Sequence, residues 1–532
     1  MASNNISRWI LAPGLVALAM AVGCSDDAPA TDAGNTTDTP VVDRPSTDTP
    51  ATETGVDAGV DTGVDSGPSQ DIPPAMDVPV GDAPALDVPT GDAPATDVPV
   101  GDAPATDVPT DAGTPPAAPV TMAISAAGHD RFYGVTYDAM GRIYATGQAA
   151  DSTETTADYR VFVARFTPTG ERDMTFGTMG VASHNIAVGT NGENARTLVV
   201  QSTGRVVVLA TVEHLGGADA RDRDIALVRF NADGTRDMTF GTNGVVTLDL
   251  STGVVDGTSF VADSAWGITR YSDDRLLITG SAVRTGGMDS DFAVVRLSAD
   301  GARDATFGTN GVVTVDVNNR SASPRTSTIL ADGSTVTAGY MNDGGIVKPV
   351  LFKLTPAGVL DTTFGTGGIY SATVLAAITE AYAAALQGTS FVTAGYGRNA
   401  APDHLDFVSL RITGAGALDT TYGAMGVARV DLAMFNDNAR DLVVLPDNRV
   451  LLVGGGRPTE MNVDAMLAML TPNGALDTSF GTGGRRVFDL GGASDFFWGA
   501  AINPARNRVA VVGTRAGVTG GNDDGVLFIL PL

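Results

Sequence analysis

One phrase, G-x-x-D-x-[TS]-[FY]-G-x-x-G, occurs six times along this chain, and its spacing restricts the fold more than any other feature. Its aspartates are Asp173, Asp237, Asp304, Asp361, Asp419 and Asp477, 57 to 67 residues apart. Self-similarity at such a period marks an array of like structural units. A second phrase, strand–turn–strand, recurs seven times between them, as in "FYGVTYDAMGRIYATG", "ARTLVVQSTGRVVVLA" and "FWGAAINPARNRVAVVG". A third is the short strand "DIALVRF", "DFAVVRL", "DFVSLRI", "DAMLAML" or "DGVLFIL".

Each unit reads as four strands: "GVVTLDL" as strand one, the hairpin as two and three, and "DIALVRF" as four. The segments are short, β-branched and apolar on both faces, bounded by Gly, Asn and Asp. Strands apolar on both faces need cover on both, and radial stacking of four-stranded sheets supplies it. The expected fold over residues 120–532 is therefore all-β, a seven-bladed β-propeller of four-stranded blades. A solenoid is the rival, but no unit reads as a polar cap. The last unit lacks a following strand while Thr121–Ser125 precedes the first hairpin, so joining the two would close the ring.

The first 119 residues follow another logic. Residues 1–24 carry Arg8, an apolar run from Trp9 to Val22 and then the chain's only cysteine, Cys24. That run is too short to span a bilayer and reads as an export signal. "AVGC" resembles the bacterial lipobox, in which the signal is cut before a cysteine that receives lipid; Ala21 stands where leucine is commoner. The resemblance implies a signal peptide with lipidation at Cys24 and a cell-envelope, outer-membrane location facing the periplasm or the surface. With one cysteine, no internal disulfide is available.

Residues 25–119 hold 19 acidic residues against Arg44 alone and repeat with a ten-residue period, "DVPVGDAPAL", "DVPTGDAPAT". So Pro/Asp/Thr/Ala-rich a composition buries too little apolar surface to order itself and reads as a disordered tether. Of the formal charge of -28, this segment holds -18, the signal +1 and the remainder -11. Such acidity repels phosphate and speaks against nucleic acid as a partner.

The repeated phrase resembles the signature of the delta-60 repeat family, predicted bacterial surface propellers, over essentially all of 121–532. The resemblance implies the fold and an exported location, and supplies no activity.

The chemistry of the phrase admits two readings. In one, the aspartate acts as acid or base and the threonine as nucleophile. In the other, the carboxylate accepts turn amides, the glycines take positive φ and the aromatic ring anchors the turn. Enzymes seldom need one site in every blade, whereas every blade needs its turn, so the six aspartates read as structural. The histidines, His129, His184, His214 and His404, fall in different units at no metal-like spacing, and no catalytic residue is assigned. Strand four ends in Arg165, Arg229, Arg296, Lys353 and Arg411 in five units. Strand one often ends in Asp249, Asp316, Asp431 or Asp489, which predicts an ion pair between the two strands.

Two features point to one end of the strands. Alternating connections place the repeated phrase and the hairpin turns on one face, and the one-to-two and three-to-four loops on the other. Those latter loops differ from unit to unit, as binding surfaces on rigid scaffolds do. They carry Asp158, Asp224, Asp291, Asp406, Asp464 and Asp524. Turn capping explains these with no cofactor, and calcium is the alternative. The second position of each hairpin phrase reads Tyr133, Arg196, Trp266, Arg325, Tyr382, Arg440 and Trp498, aromatic and arginine in alternation, with like neighbours only at Trp498 and Tyr133. Such a girdle either packs adjacent blades or faces an opening and binds a sugar or anionic glycan. The functional expectation is a membrane-anchored, monomeric binding or scaffold module for a glycan or protein. The alternative is an exported propeller enzyme acting on carbohydrate, a hydrolase or lyase.

Overall fold

The computed structural model describes residues 118–532 apart from 126–127, 154–156, 189–192, 214–222, 252–262, 284–288, 433–434, 460–461, 492–493 and 518–521. The signal with Cys24, the acidic segment up to residue 117 and His214 lie outside the described residues. Among those described there is no helix.

The first hairpin shows how a unit forms. Asp130–Tyr137 pairs antiparallel with Ile143–Ala150, which pairs with Tyr159–Phe166, which pairs with Val181–His184. The apolar residues of the middle strands are buried along their whole length, as in Val206–Glu213, whose first seven residues are all buried. Sheets buried on both faces must stack on neighbours, and that is how they are arranged. The first strands of successive hairpins touch one another in a cycle: Asp130–Tyr137, Asn194–Val200, Ser264–Arg270, Ala322–Ile329, Ala383–Gln387, Asp437–Val444, Asp495–Ile502 and back to Asp130–Tyr137. The architecture is a β-propeller with these strands innermost.

Five sheets have four strands each, and a sixth has nine. The nine-stranded sheet holds two hairpin units, joined by a single parallel pair, Val347 with Ile378. Val120–Met122 pairs with Leu527, Val526 and Gly525, giving the last sheet its fourth strand from the start of the domain. Phe132, Leu527, Ile529 and Ala501 share one core cluster across that seam. The ring closure expected from Thr121–Ser125 is thus made by the strand Val120–Met122.

One assignment is corrected. The sequence groups strand one with the hairpin that follows it, yet Val245–Leu248 pairs with Arg223–Phe230, the strand before it. The repeated phrase is a tight reversal, and a tight reversal makes its flanking strands antiparallel neighbours. Each sheet therefore runs two, three, four, one, with strand one outermost.

Candidate functional site

The repeated phrase builds a brace, and the third unit shows it fully. Asp304 Oδ1 accepts the Thr306 amide at 3.0 Å and the Thr306 hydroxyl at 2.6 Å, while Oδ2 accepts Arg296 Nε at 2.8 Å. Arg296 donates also to Thr306 Oγ1 and, across to the next sheet, to Pro356 O at 2.6 Å. Its guanidinium lies 4.6 Å from the buried Phe307 ring. The same knot recurs at Asp173 with Arg165, Asp237 with Arg229 and Asp419 with Arg411, and Lys353 serves Asp361. Asp477, whose strand ends in Met469, takes Arg449 from the hairpin turn instead. At Gly177, φ is +55°, an added Cβ would lie 2.1 Å from Val181 O, and the amide donates to Asp233 O of the next sheet at 2.7 Å. The phrase is a rivet between sheets, and the Asp and Thr are spent on it.

Burial pushes the Asp304 carboxyl up, but the Thr306 hydrogen bonds and the two arginines outweigh burial and leave it at about 2. Asp361 is held at about 2 by the Thr363 hydroxyl, then by Lys353. The basic residues that end strand four therefore pair with the turn aspartates and not with Asp249, Asp316, Asp431 or Asp489. Those sit at the far end of strand one, beside the start of strand four, because Leu248 faces Ile225 in the antiparallel ladder.

The opposite end carries the girdle. In the first hairpin Phe132 pairs with Gly147 and Gly134 with Thr146, so Tyr133 is the extra residue of a β-bulge. Arg196, Trp266, Arg440 and Trp498 are skipped in the same way, and Arg325 is skipped together with Thr326. At Tyr382 the amide donates to Ala394 O although Ala383 is the ladder partner of Ala394. A bulge re-aims a side chain out of the pleat, and here it does so at the same place in every inner strand.

The bulged side chains meet as a collar. Arg196 lies 4.9 Å from the Trp266 ring, Arg325 3.6 Å from Trp266 and 4.3 Å from Tyr382, and Arg440 4.4 Å from Tyr382 and 5.6 Å from Trp498. Trp498 meets Tyr133 edge-on at 5.6 Å, where the two like residues adjoin. Every member is 5 % exposed or less. The collar thus packs neighbouring sheets together, and the rings of Trp266 and Tyr382 are each flanked by two guanidinium groups. What it has left for a ligand is donors rather than ring faces. Arg440 Nε and Nη1 and Trp266 Nε1 are buried with no hydrogen-bond acceptor among the described residues. Each arginine–ring contact contributes about 0.5–2 kcal/mol, while a charged donor left unmet costs more than a neutral one. The arrangement favours an acceptor.

One device escaped the sequence reading. Three residues before the girdle position stand Asp130, Glu193, Asp263, Thr379, Asp437 and Asp495, and each side chain holds an amide of the segment that leads into its strand. Asp130 accepts Ile124 and Ser125 at 2.6 and 2.7 Å, Asp437 accepts Leu432 and Asp495 accepts Leu490, both at 2.7 Å. Thr379 accepts Leu375 at 3.0 Å, Glu193 takes Ala187, and Asp263 takes Leu250 and Ser251. Burial lifts Asp130 and Asp263 to about 6 and Glu193 to about 7, against the pull of those amides. The fixed offset of an acid before five of the seven hairpins was the available signal.

The loop aspartates come together in part. Carboxylate oxygens of Asp224, Asp249 and Asp263 lie within 4.8 Å of one another, as do those of Asp289, Asp291 and Asp316, of Asp406, Asp431 and Asp437, and of Asp464, Asp489 and Asp495. All-carboxylate donors suit a hard cation such as calcium. In three of these triads the most buried member already serves the loop amides named above. His184 is held by Arg236 and His404 packs on Phe435. His129 bonds the Asp523 amide across the closure seam.

Residues 201–240, 272–307 and 330–364 match the family described as "Domain of unknown function (DUF5122) beta-propeller". Each match runs from a hairpin turn through strands three and four to the repeated phrase. This is a β-propeller chain. No curated protein matches it. Among solved structures it is similar to Sqt1 from Chaetomium thermophilum, with 10 % identity and a TM-score of 0.37 over 78 % of this chain and 98 % of that one. It is similar to polysaccharide lyase Uly1, with 9 % identity and a TM-score of 0.41 over 77 % and 91 %. It is also similar to the β-propeller domain of the Trilobed protease from Pyrococcus furiosus, with 10 % identity and a TM-score of 0.34 over 64 % and 83 %.

Proposed function

We propose that this chain is an exported lipoprotein, anchored at the outer membrane through Cys24, whose acidic tether carries a seven-bladed propeller that binds a glycan or protein partner without catalysis. The blade count takes the nine-stranded sheet as two blades. The observation that carries the reading is the division of labour between the two ends. One end is spent on the repeated brace. The other carries the bulged collar and the aspartate triads, at the strand ends from which the loops that differ from unit to unit depart. Calcium at those triads would order the same loops, and belongs to the proposal as a cofactor of the binding face.

A panel of glycans, cell-wall fragments and envelope proteins, offered to residues 118–532 with and without calcium, tests it. Retention of a panel member with its covalent structure intact is the expected result. Cleavage of a glycan on the panel would replace the binding module by a hydrolase or lyase.

A further inference from the structure

The collar does more than pack. We infer that it holds one small carboxylate anion against Arg440, a site that stands apart from whatever partner the loops take.

Arg440 is 4 % exposed and Trp266 1 %. The neighbours of the Arg440 guanidinium are the rings of Tyr382, Tyr396, Phe496 and Trp498, at 4.4 to 5.8 Å. Aromatic faces attract a cation but accept no full hydrogen bond, so Nε and Nη1 keep their donors unmet. The Trp266 indole N–H, in the same aromatic cluster, is unmet as well. Trp498, by contrast, donates to Thr514 Oγ1 at 3.2 Å. Arg325 in the same collar has an acid beside it: its Nη2 lies 3.9 Å from Glu380 and 3.1 Å from the Tyr382 hydroxyl. Around Arg440 the collar therefore offers donors and aromatic walls, and its three arginines outnumber the one acid, Glu380, that acts on the neighbouring Tyr396.

That chemistry selects an acceptor-only, negatively charged group of small size. A carboxylate fits best, because its two oxygens suit the planar guanidinium and charge-assisted bonds are the stronger ones. A divalent cation is excluded by the positive charge, and a neutral sugar hydroxyl leaves the charge unmet.

The chain supplies its own reporter. It has three tryptophans, Trp9, Trp266 and Trp498. With Trp9→Phe, both remaining tryptophans lie in the collar whether or not the signal is cut before Cys24, and the emission of the whole chain in mild detergent reads the collar alone. Sodium acetate, exchanged for sodium chloride at constant ionic strength, is the probe. A saturable emission change with a rise in melting temperature is expected. Arg440→Met should weaken the response about tenfold or more, since a charge-assisted pair is lost. Arg303→Met, at the brace end, should leave the curve unchanged. Should Arg440→Met fail to fold, Arg440→Gln, which keeps a donor without the charge, should show a weakened curve. Deleting residues 25–117 tests whether the chain's own aspartates supply the carboxylate: a response seen only after deletion supports the same site, filled from within. A flat titration in both forms, or one that Arg440→Met and Arg440→Gln leave untouched, overturns the inference. The loop-face reading could stand in that case, because its test is retention of a panel member.

Discussion

At the scale of single residues, two kinds of carboxylate act in opposite directions, mostly half-buried ones in the turns and buried ones before the hairpins. The turn aspartates are held below their ordinary range and stabilise the fold when ionised. Asp304→Ala removes the acceptor of Thr306, Arg296 and Arg275, and should cost ~1–3 kcal/mol by chemical denaturation. Asp130, Glu193 and Asp263 are raised by burial, so the unfolded chain ionises before the folded one as pH climbs. Their contribution is full below about pH 4 and declines up to about pH 6–7, the values they reach when folded. The turn aspartates lose theirs only as pH falls from about 4 towards 2. Melting temperature should therefore rise as pH is lowered from 7 to 5 and fall below 4. A steady decline from 7 to 5 would show that the buried acids are not the ones described. The turn residues were legible in the sequence because the same phrase returned six times. The acids before five of the seven hairpins recur at a fixed offset too, but their role was not legible, because their partners are backbone amides, which leave no mark in a pattern of side chains.

Elements were legible in order and illegible in adjacency. Every hairpin and every brace falls where apolar runs and turn residues put it. The edge at which strand one docks did not follow, since Val245–Leu248 lies between two sheets in sequence and only the antiparallel reversal decides. The same oversight misdirected the ion pairs: Arg229 and Asp249 lie at opposite ends of neighbouring strands, and Arg229 finds Asp237 at 2.9 Å. Closure is the element with the largest consequence. Val120–Met122 is the only strand through which the start of the domain completes the last described sheet, and Asp130 fastens Ile124 and Ser125 behind it. Deleting residues 118–126 should lower the melting temperature of the whole domain in a single transition. An unchanged melting curve would count against closure by this strand.

For the whole molecule, the girdle was legible as an alternation of residue types, but its burial was not, because a bulge changes where a side chain points without changing what it is. The anchor and the tether are sequence readings, and Cys24→Ser tests them: radiolabelled fatty acid should no longer enter the chain, and the protein should leave the membrane fraction. Labelling that survives the substitution would defeat the lipobox reading. The central claim is that one end of the propeller holds the sheets together while the other receives ligands. It is tested most directly by offering the binding panel, with calcium present, to Asp304→Ala and to the double variant Asp431→Ala/Asp489→Ala in the loop-end triads, each checked for an intact β circular dichroism spectrum. The account predicts that Asp304→Ala melts lower and still retains the panel member bound by the unaltered chain, whereas the double variant loses it. Binding lost in a folded Asp304→Ala and kept in the double variant would contradict it.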